Sequence, residues 1–455
     1  MFETYSQIIE NDTPKNNQLD LNANRKINDS AILVGVYLNT KNEIDTTLDE
    51  LHNLADAANI RTAAKLVQIR TKPEAATYIG SGKLAELKEL VDSNDASIVI
   101  FDNDLAPSQT KNLEDELKVK VIDRTELILD IFASRAQTNE AKLAVELAQL
   151  EYSLPRLKKM WTHLERQGVG GVGLRGPGEK QLEVDRRLAQ KRILALKNEL
   201  NEIHNRRKRE VAARTELRTV SLVGYTNAGK STLMNTLTNA DVFVKNMLFA
   251  TLDTRTRKWN LPGWGPVLLS DTVGFVRNLP HHLVASFSAT LEETLNANLL
   301  LHVADATSKR LNDEINAVCQ VLDNLNIRKK DTILILNKID AIEQEQLCQL
   351  TQKYKNAIQI SAKNNQGLEQ LTNAVSNALS KEFIEITVEM SIGNGKLLAS
   401  LAKNTEILSK QFTNEYIKIH CRTPKHIIGK LKHEPDVKIT YNQNINNNEK
   451  QEKQW

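Results

Sequence analysis

The sequence contains little cysteine and no long apolar run. Its three cysteines, Cys319, Cys348 and Cys421, are widely separated and lack CxxC spacing, which excludes a disulfide framework and a zinc site. The longest apolar runs, such as residues 299–301, fall far short of the roughly 20 residues that a membrane-spanning helix needs. Residues 1–15 carry acidic and polar groups where a signal peptide has a basic end and an apolar core. We therefore expect a cytoplasmic protein with no stable membrane insertion.

An excess of charge of one sign is also missing. The 455 residues include 60 Lys or Arg and 57 Asp or Glu, a formal net charge of +3 at pH 7. Any affinity for nucleic acid must therefore come from local clusters of charge. Hydrophobic residues make up 40% of the chain, which is enough for folded cores. The length allows about two to four domains at roughly 100–200 residues each.

Apolar patterning predicts a multidomain α/β protein with a small α+β unit near its C-terminus. An N-terminal parallel α/β domain is indicated by β-type runs that alternate with helical patterns, at residues 32–38, 65–70, 97–101 and 119–122. The C-terminal unit is expected to contain a strand, a helix and two strands, at residues 383–390, 395–403, 416–422 and 437–441.

Six segments are predicted along the chain. They are a mobile arm (1–29), the N-terminal α/β domain (30–137), a helical hairpin with a Gly-rich tip (138–215), a second α/β domain (216–381), a small α+β domain (382–441) and a disordered tail (442–455).

The hairpin prediction comes from apolar residues spaced four and three apart on both sides of a glycine-rich segment. The two series are Leu143, Leu147, Leu150, Leu154 and Leu157, then Ala189, Ile193, Leu196, Leu200 and Ile203. This spacing places one apolar stripe along each helix, as in a coiled coil. Pro155 is expected to kink or interrupt the first helix. Residues 168–178 include six glycines, which predicts a flexible tip.

Basic charge is concentrated on this hairpin. Residues 151–218 contain 17 Lys or Arg and 9 Asp or Glu, a net charge of +8, so the rest of the chain carries −5. Basic side chains on a long arm with a bare glycine tip suit a phosphate backbone. The alternative is a solvated helical surface with ordinary ion pairs.

A glycine-rich segment follows the apolar strand at residues 219–223 and precedes a helical pattern. It has the spacing of a phosphate-binding loop, whose backbone N–H groups face nucleotide phosphates at a helix N-terminus. Lys230 would supply positive charge to the outer phosphates, and the Ser231 hydroxyl is a candidate magnesium ligand. The nucleotide-binding residues predicted here are Gly224, Tyr225, Thr226, Asn227, Ala228, Gly229, Lys230 and Ser231.

A second phosphate-sensing element follows the apolar residues 267–270. Asp271 is expected to hold magnesium through water, and the Gly274 N–H to sense the γ-phosphate. The residues assigned to the nucleotide are Asp271, Thr272, Val273 and Gly274. Phe275 comes next, where many regulatory GTPases have a glutamine that orients the attacking water. Because phenylalanine cannot hydrogen-bond water, intrinsic hydrolysis is predicted to be slow without a partner that orders the site.

Two elements at the ends of later strands predict recognition of guanine. The Asp340 carboxylate can accept from guanine N1–H and the 2-amino group, and a buried acid left unpaired by adenine would select GTP over ATP. Asn337 is assigned to the base edge, Lys338 to the base face and a backbone N–H of residues 361–363 to guanine O6. The full set is Asn337, Lys338, Ile339, Asp340, Ser361, Ala362 and Lys363.

A polar stretch between the first two elements is typical of a switch loop. Its predicted nucleotide-binding residues are Phe249, Ala250, Thr251, Leu252 and Asp253. Thr251 is the candidate second hydroxyl ligand of magnesium, with Thr254 and Thr256 as alternatives. The predicted catalytic residues are therefore Lys230, Thr251 and Gly274, and the predicted metal ligands are Ser231 and Thr251.

Four sequence blocks resemble the HflX family of ribosome-associated GTPases, within the translation-factor class. They are Gly-Ser-Gly-Lys, Gly-Leu-Arg-Gly-Pro-Gly-Glu-Lys-Gln-Leu-Glu-Val-Asp-Arg, Phe-Ala-Thr-Leu-Asp and Asp-Thr-Val-Gly-Phe, at residues 80–83, 173–186, 249–253 and 271–275. The resemblance implies a cytosolic, Mg²⁺-dependent GTPase that binds GTP and GDP. It also implies that the hairpin contacts the large (50S) ribosomal subunit and its rRNA, and that the protein helps to split or rescue ribosomes. A monomer is the default expectation.

Two hypotheses about function remain open. The first is a GTP-hydrolysing ribosome factor that acts in splitting, rescue or biogenesis. The second is a guanine-nucleotide-dependent RNA-binding assembly module in which hydrolysis is incidental. Residues 80–83 leave a smaller choice between a helix cap and a second nucleotide site, since they lack the spacer of a phosphate-binding loop.

Overall fold

The computed structural model describes residues 30–38, 44–160, 177–213, 218–238, 249, 254–262, 265–277, 294–324, 331–380, 383–413, 415–424, 428, 431 and 437–441. Contacts divide the chain into two compact units, Met1–Leu127 and Ile128–Trp455. The predicted arm at residues 1–29, the centre of the glycine-rich tip and the tail from residue 442 lie outside the described residues. In the described part, no helix has the length and apolar character needed to cross a membrane.

The first unit contains a four-stranded parallel sheet in the order β2-β1-β3-β4. Apolar residues run along the central strands because both faces of the sheet are buried. The elements in chain order are β1 (Ser30–Leu38), α1 (Ile44–Ala57), β2 (Arg61–Arg70), α2 (Ser81–Ser93), β3 (Ile98–Phe101), α3 (Pro107–Leu117), β4 (Lys120–Asp123) and α4 (Arg124–Arg135), which crosses into the second unit.

A buried ion cluster joins three elements of the first unit. Arg124, at the start of α4, donates to Asp102 after β3 and to Glu50 on α1, both at 2.7 Å. Its side chain is 3% exposed, so both carboxylates are needed to offset the cost of burying the guanidinium. In the segment at residues 80–83, Gly80 precedes α2 and its N–H donates to Gln68, which favours the helix-cap interpretation.

The predicted hairpin helices are α5 (Asn139–Met160) and α6 (Pro177–Ala213). Their apolar stripes pack against each other, with a buried centre at Leu143, Leu147 and Leu196. Two ion pairs also cross between the helices, from Arg192 to Glu146 and from Lys197 to Glu151. Arg192 and Lys197 therefore stabilise the hairpin through ion pairs, as the alternative of a solvated helical surface with ordinary ion pairs predicts.

Pro155 does not interrupt α5, so the prediction of an interruption is wrong. The helix continues through Pro155 to Met160. Proline removes only one backbone hydrogen bond, and the leucine packing upstream holds the helix in register.

The second unit contains a six-stranded sheet in the order β10-β9-β8-β5-β7-β6. All strand pairs are parallel except β6 with β7. The carboxyl ends of the parallel strands therefore meet at one edge of the sheet. The elements are β5 (Thr219–Gly224), α7 (Lys230–Thr238), β6 (Arg255–Leu261), β7 (Gly265–Asp271), β8 (Leu299–Asp305), α8 (Leu311–Asn324), β9 (Thr332–Asn337), a 3₁₀ turn (Ile339–Ala341), α9 (Gln344–Lys353), β10 (Ile358–Gln359) and α10 (Leu368–Ser380).

The C-terminal part contains an antiparallel sheet in the order β12-β13-β11-β14. Its elements are β11 (Phe383–Ser391), α11 (Gly395–Asn404), β12 (Glu406–Phe412), β13 (Tyr416–Pro424) and β14 (Val437–Tyr441). The multidomain α/β fold with a C-terminal α+β unit is confirmed. The predicted order of elements missed β12, an exposed edge strand whose register shifts between Ile407 and Ser409, so apolar and polar residues do not alternate along it.

Candidate nucleotide-binding site

The loop between β5 and α7 needs its glycines. Gly224 and Gly229 have backbone φ angles of +154° and +91°, which residues with a side chain rarely adopt. A Cβ on Gly224 would lie 2.1 Å from the Val303 carbonyl oxygen, and one on Gly229 would lie 2.2 Å from the Asn337 amide nitrogen. Asn227 is exposed and also has positive φ, +61°. The backbone is therefore wrapped tightly at the N-terminus of α7, where N–H groups and the helix dipole favour an anion.

Lys230 lies at the centre of this loop. Its side-chain ammonium donates to the carbonyl oxygens of Gly224 (3.0 Å) and Tyr225 (2.8 Å). Burial lowers the Lys230 pKa to about 8, and the charge of Asp271 opposes that shift. A buried ammonium next to a helix N-terminus is suited to a phosphate group, which would restore its charged form.

Nucleotide affinity should fall as the pH rises through the Lys230 pKa of about 8. The ammonium is protonated below that pKa and neutral above it, and phosphates bind the protonated form better. We expect the affinity for GDP to drop about fourfold between pH 7 and 8.5, as the protonated fraction declines. Equilibrium titration in EDTA measures this without a contribution from metal binding. A GDP affinity that stays constant between these pH values would contradict the contact between the Lys230 ammonium and the phosphates.

Ser231 and Asp271 meet beside Lys230. The Ser231 hydroxyl donates to Asp271 Oδ2 at 2.6 Å, and Asp271 is fully buried at the end of β7. A hydroxyl and a carboxylate are oxygen donors of the kind that Mg²⁺ prefers, with phosphates completing its shell. These two residues therefore fit a magnesium ion. Outside the described residues lie four residues of the predicted switch loop, namely Ala250, Thr251, Leu252 and Asp253.

The segment after β7 is joined to the loop by its backbone. Phe275 N–H donates to the Gly224 carbonyl oxygen (3.1 Å), and Thr226 N–H donates to the Phe275 carbonyl oxygen (2.8 Å). The Thr272 hydroxyl donates to the Leu222 carbonyl oxygen at 2.7 Å. Gly274 therefore lies directly against the loop, and Val273 beside it is buried.

The side chains of Tyr225 and Phe275 belong to the core of the sheet. Phe275 is 3% exposed and packs with Val223 and Leu300, while Tyr225 lies partly buried against the same cluster. The Tyr225 hydroxyl accepts from the Arg277 N–H at 2.7 Å. The position after Gly274 thus offers no polar side chain to the site.

Asn337 connects two loops. Its amide donates to the Ala228 carbonyl oxygen (2.9 Å) and accepts from the Ala362 N–H (3.0 Å), with the side chain 2% exposed. Asn337 therefore has only its second amide hydrogen left to donate to the base edge, the contact predicted from sequence. Asn337 holds the phosphate-binding loop against the segment after β10, an arrangement that the linear motif did not show.

Asp340 is exposed, so the premise that it is a buried acid is wrong. The 3₁₀ turn at the end of β9 lies at the surface, and the carboxylate is desolvated only when a base covers it. The buried Ser361 hydroxyl donates to Asp340 at 2.6 Å, which fixes the orientation of the carboxylate. Lys363, two residues after Ser361, is exposed.

Lys338 has a partner that sequence reasoning missed. Its ammonium donates to Asp305 Oδ2 at 2.6 Å, and its backbone is left-handed with φ of +67°. Asp305 ends β8, and the only available signal was an acid at the carboxyl end of an apolar strand. Ile339 packs against the apolar cluster of Ala306 and Leu336, so its side chain serves the core and not the nucleotide.

Phe249 is likewise a packing residue. Its side chain is 2% exposed, and its ring meets the Phe132 ring of α4 edge-on at a centroid distance of 4.6 Å. The structure therefore gives the Phe249 side chain a packing contact, in place of the nucleotide contact expected from sequence.

Comparison with protein families gives three consecutive matches. Residues 45–133 match the family described as GTP-binding GTPase N-terminal, and residues 135–214 match GTP-binding GTPase Middle Region. Residues 219–338 match the family described as 50S ribosome-binding GTPase.

Individual relatives cover most of the chain. The GTPase HflX of Escherichia coli (strain K12) is 43% identical over 373 residues, which are 81% of this chain and 87% of the relative. The GTPase HflX of Caldanaerobacter subterraneus subsp. tengcongensis is 42% identical over 405 residues, 88% of this chain and 92% of the relative. Among solved structures, a GTP-binding protein of Sulfolobus solfataricus in complex with GDP has a TM-score of 0.41 and 25% identity, with 78% of this chain and 99% of that chain covered.

Proposed function

This chain belongs to the HflX family of GTPases, and from that premise we propose that it acts on the large (50S) ribosomal subunit. As a member of that family it is an enzyme that uses GTP, GDP and Mg²⁺. The proposed role is to couple GTP hydrolysis to ribosome splitting or rescue, or to biogenesis, in the cytoplasm. The protein is proposed to act as a monomer.

The residues around the phosphate-binding loop have separate proposed roles in GTP hydrolysis. We propose that the Lys230 ammonium exchanges its two carbonyl partners for phosphate oxygens and offsets the charge that develops there. The Gly274 N–H would bind the terminal phosphate, and Thr251 would close over it from the switch loop. Ser231, Thr251 and Asp271 would hold Mg²⁺, which supplies charge neutralisation and orientation of the phosphates when bound.

Guanine selectivity is proposed to come from the carboxyl ends of β9 and β10. The Asp340 carboxylate, held by Ser361, would accept from N1–H and the 2-amino group. The Lys338 stem, held by Asp305, would lie on the base face. Because the N–H groups of Ser361 and Ala362 already donate to protein oxygens, the contact to guanine O6 falls to Lys363 N–H.

The observation that carries the ribosomal proposal is the pair of helices α5 and α6. Their apolar residues face each other, which leaves basic side chains such as Arg187 and Lys191 exposed along α6. A long, basic surface supports contact with rRNA phosphates. The tip between the helices is proposed to reach into the large subunit.

Charge removal on α6 tests this proposal. Replacing Arg187 and Lys191 together with glutamine should weaken binding to large subunits about tenfold and reduce the salt dependence of binding by about two counterions. Co-sedimentation with a non-hydrolysable GTP analogue over a salt series measures both. The matched control replaces the exposed Lys309 and Lys355, outside the hairpin, with glutamine. Equal loss in both variants would mean that overall charge, and not the hairpin, determines binding.

The second candidate function is an RNA-binding assembly module with incidental hydrolysis. The core placement of Phe275 favours it, since no polar side chain at that position can orient water. The two candidates differ in turnover. A cycling factor should hydrolyse GTP much faster with ribosomal subunits, whereas an assembly module should bind RNA fragments with little change in rate.

A further inference from the structure

A buried hydroxyl in the phosphate-binding loop lacks a hydrogen-bond partner. The Thr226 Oγ1 atom is shielded from solvent, and no donor or acceptor reaches it within the residues that the structure describes. Buried polar atoms nearly always have a partner, because an unmade hydrogen bond is costly. A threonine in this environment therefore points to a partner supplied by a bound molecule.

The surroundings of Thr226 place it at the phosphate side of the loop. A Cβ built on Gly274 would lie 2.9 Å from both Cα and Cγ2 of Thr226 and 3.0 Å from the Lys230 Nζ atom. The Thr226 side chain and the Lys230 ammonium therefore border the same space next to Gly274. The Thr226 N–H donates to the Phe275 carbonyl oxygen, so the backbone here is fixed.

The Thr226 hydroxyl can be turned into this space by a single rotation. Its methyl group, Cγ2, is the side-chain atom close to Gly274. Threonine occupies staggered χ1 wells about 120° apart, and a rotation from one well to the next can move Oγ1 to the place of Cγ2, with Cγ2 moving to the place of Hβ. The rotation would give the hydroxyl a partner when a phosphate and its water lie beside Lys230. Phe275, at the position of the usual glutamine, is packed with Val223 and Leu300 and cannot do this.

We propose that Thr226 is a catalytic residue whose hydroxyl hydrogen-bonds the water that attacks GTP. The water oxygen forms a bond to the γ-phosphorus, and the bond from that phosphorus to the β–γ bridging oxygen breaks, with the electron pair leaving on GDP. The water proton passes to a phosphate oxygen. A hydroxyl accepts one hydrogen bond from water and donates another to phosphate, so Thr226 neither gains nor loses a proton. The proposal rests on the nucleotide site proposed above.

Two substitutions in the full-length chain separate the hydroxyl from the shape of the residue. Thr226→Val keeps the shape and removes the hydroxyl, whereas Thr226→Ser keeps the hydroxyl. We expect single-turnover GTP hydrolysis to fall at least about tenfold in the valine variant and to stay within about threefold in the serine variant. The affinity for GDP should stay within about threefold in both. The unfolding temperature of the valine variant without nucleotide should be equal or higher, because the variant loses an unpartnered hydroxyl.

Hydrolysis by the valine variant at the normal rate would overturn the proposal. So would an equal loss of rate in both variants, since the hydroxyl that the serine variant keeps would then not sustain hydrolysis, or a parallel loss of GDP affinity. The assay contains no ribosomal subunits, so failure of the ribosomal proposal leaves its outcome unchanged.

Discussion

Asp340→Asn should lower the affinity for GDP by about 100-fold or more, because a base contact to a charged acceptor is lost. The carboxylate can accept from two guanine donors, whereas an asparagine amide directs its own N–H at one of them. Xanthine carries a carbonyl oxygen in place of the 2-amino group, so the variant should gain affinity for xanthosine diphosphate. Ser361, which donates to Asp340, remains as a partner for the new amide oxygen.

Fluorescence titration with the two nucleotides measures the exchange of specificity. The matched control is Glu345→Gln, which removes the same charge from an exposed position on α9. Unchanged GDP affinity in the asparagine variant would show that Asp340 does not recognise the base.

Lys230→Ala should reduce GTP turnover by about 100-fold to 1,000-fold, as removal of a pre-organised charge at a phosphate does. The ammonium is buried between the loop carbonyls and Asp271, so no solvent ion takes its place easily. The variant tests whether this buried charge acts on the phosphates or only holds the loop together.

Steady-state turnover at saturating GTP gives the effect on hydrolysis, and thermal unfolding without nucleotide checks the fold. Lys258→Ala, at an exposed position on β6 of the same sheet, is the matched control. Normal turnover in the Lys230 variant, with the fold retained, would rule out the proposed role.

Local patterns were sufficient to predict the fold class and the phosphate-binding loop. A strand, a glycine-rich turn ending in Lys230 and Ser231, and a helix follow each other directly in the chain, and each follows from residue types at short spacing. Apolar spacing of four and three likewise predicted α5 and α6, whose packing at Leu143 and Leu196 it placed correctly.

Contacts that depend on strand order could not be predicted in this way. The bond between Lys338 and Asp305 exists because β9 lies beside β8 in the sheet, and that between Ser361 and Asp340 because β10 lies beside β9. Motif spacing gives no information about strand order. Sequence alone also could not show that Asp340 is exposed, because exposure depends on what packs around the turn after β9.

The directions of individual side chains also could not be predicted from the sequence. Phe249 belongs to a block that resembles a switch loop, yet its ring packs on Phe132. The hydroxyl of Thr226 could be assigned only with coordinates, because in sequence it is one of several variable positions in the loop.

GTP turnover by the full-length protein, alone and with purified large ribosomal subunits, tests the central claim most directly. We predict stimulation well above tenfold, absent in the Lys230→Ala variant and reduced by salt, because binding through the basic hairpin releases counterions. Equal slow rates with and without subunits would contradict the account and leave the RNA-binding assembly module as the better explanation.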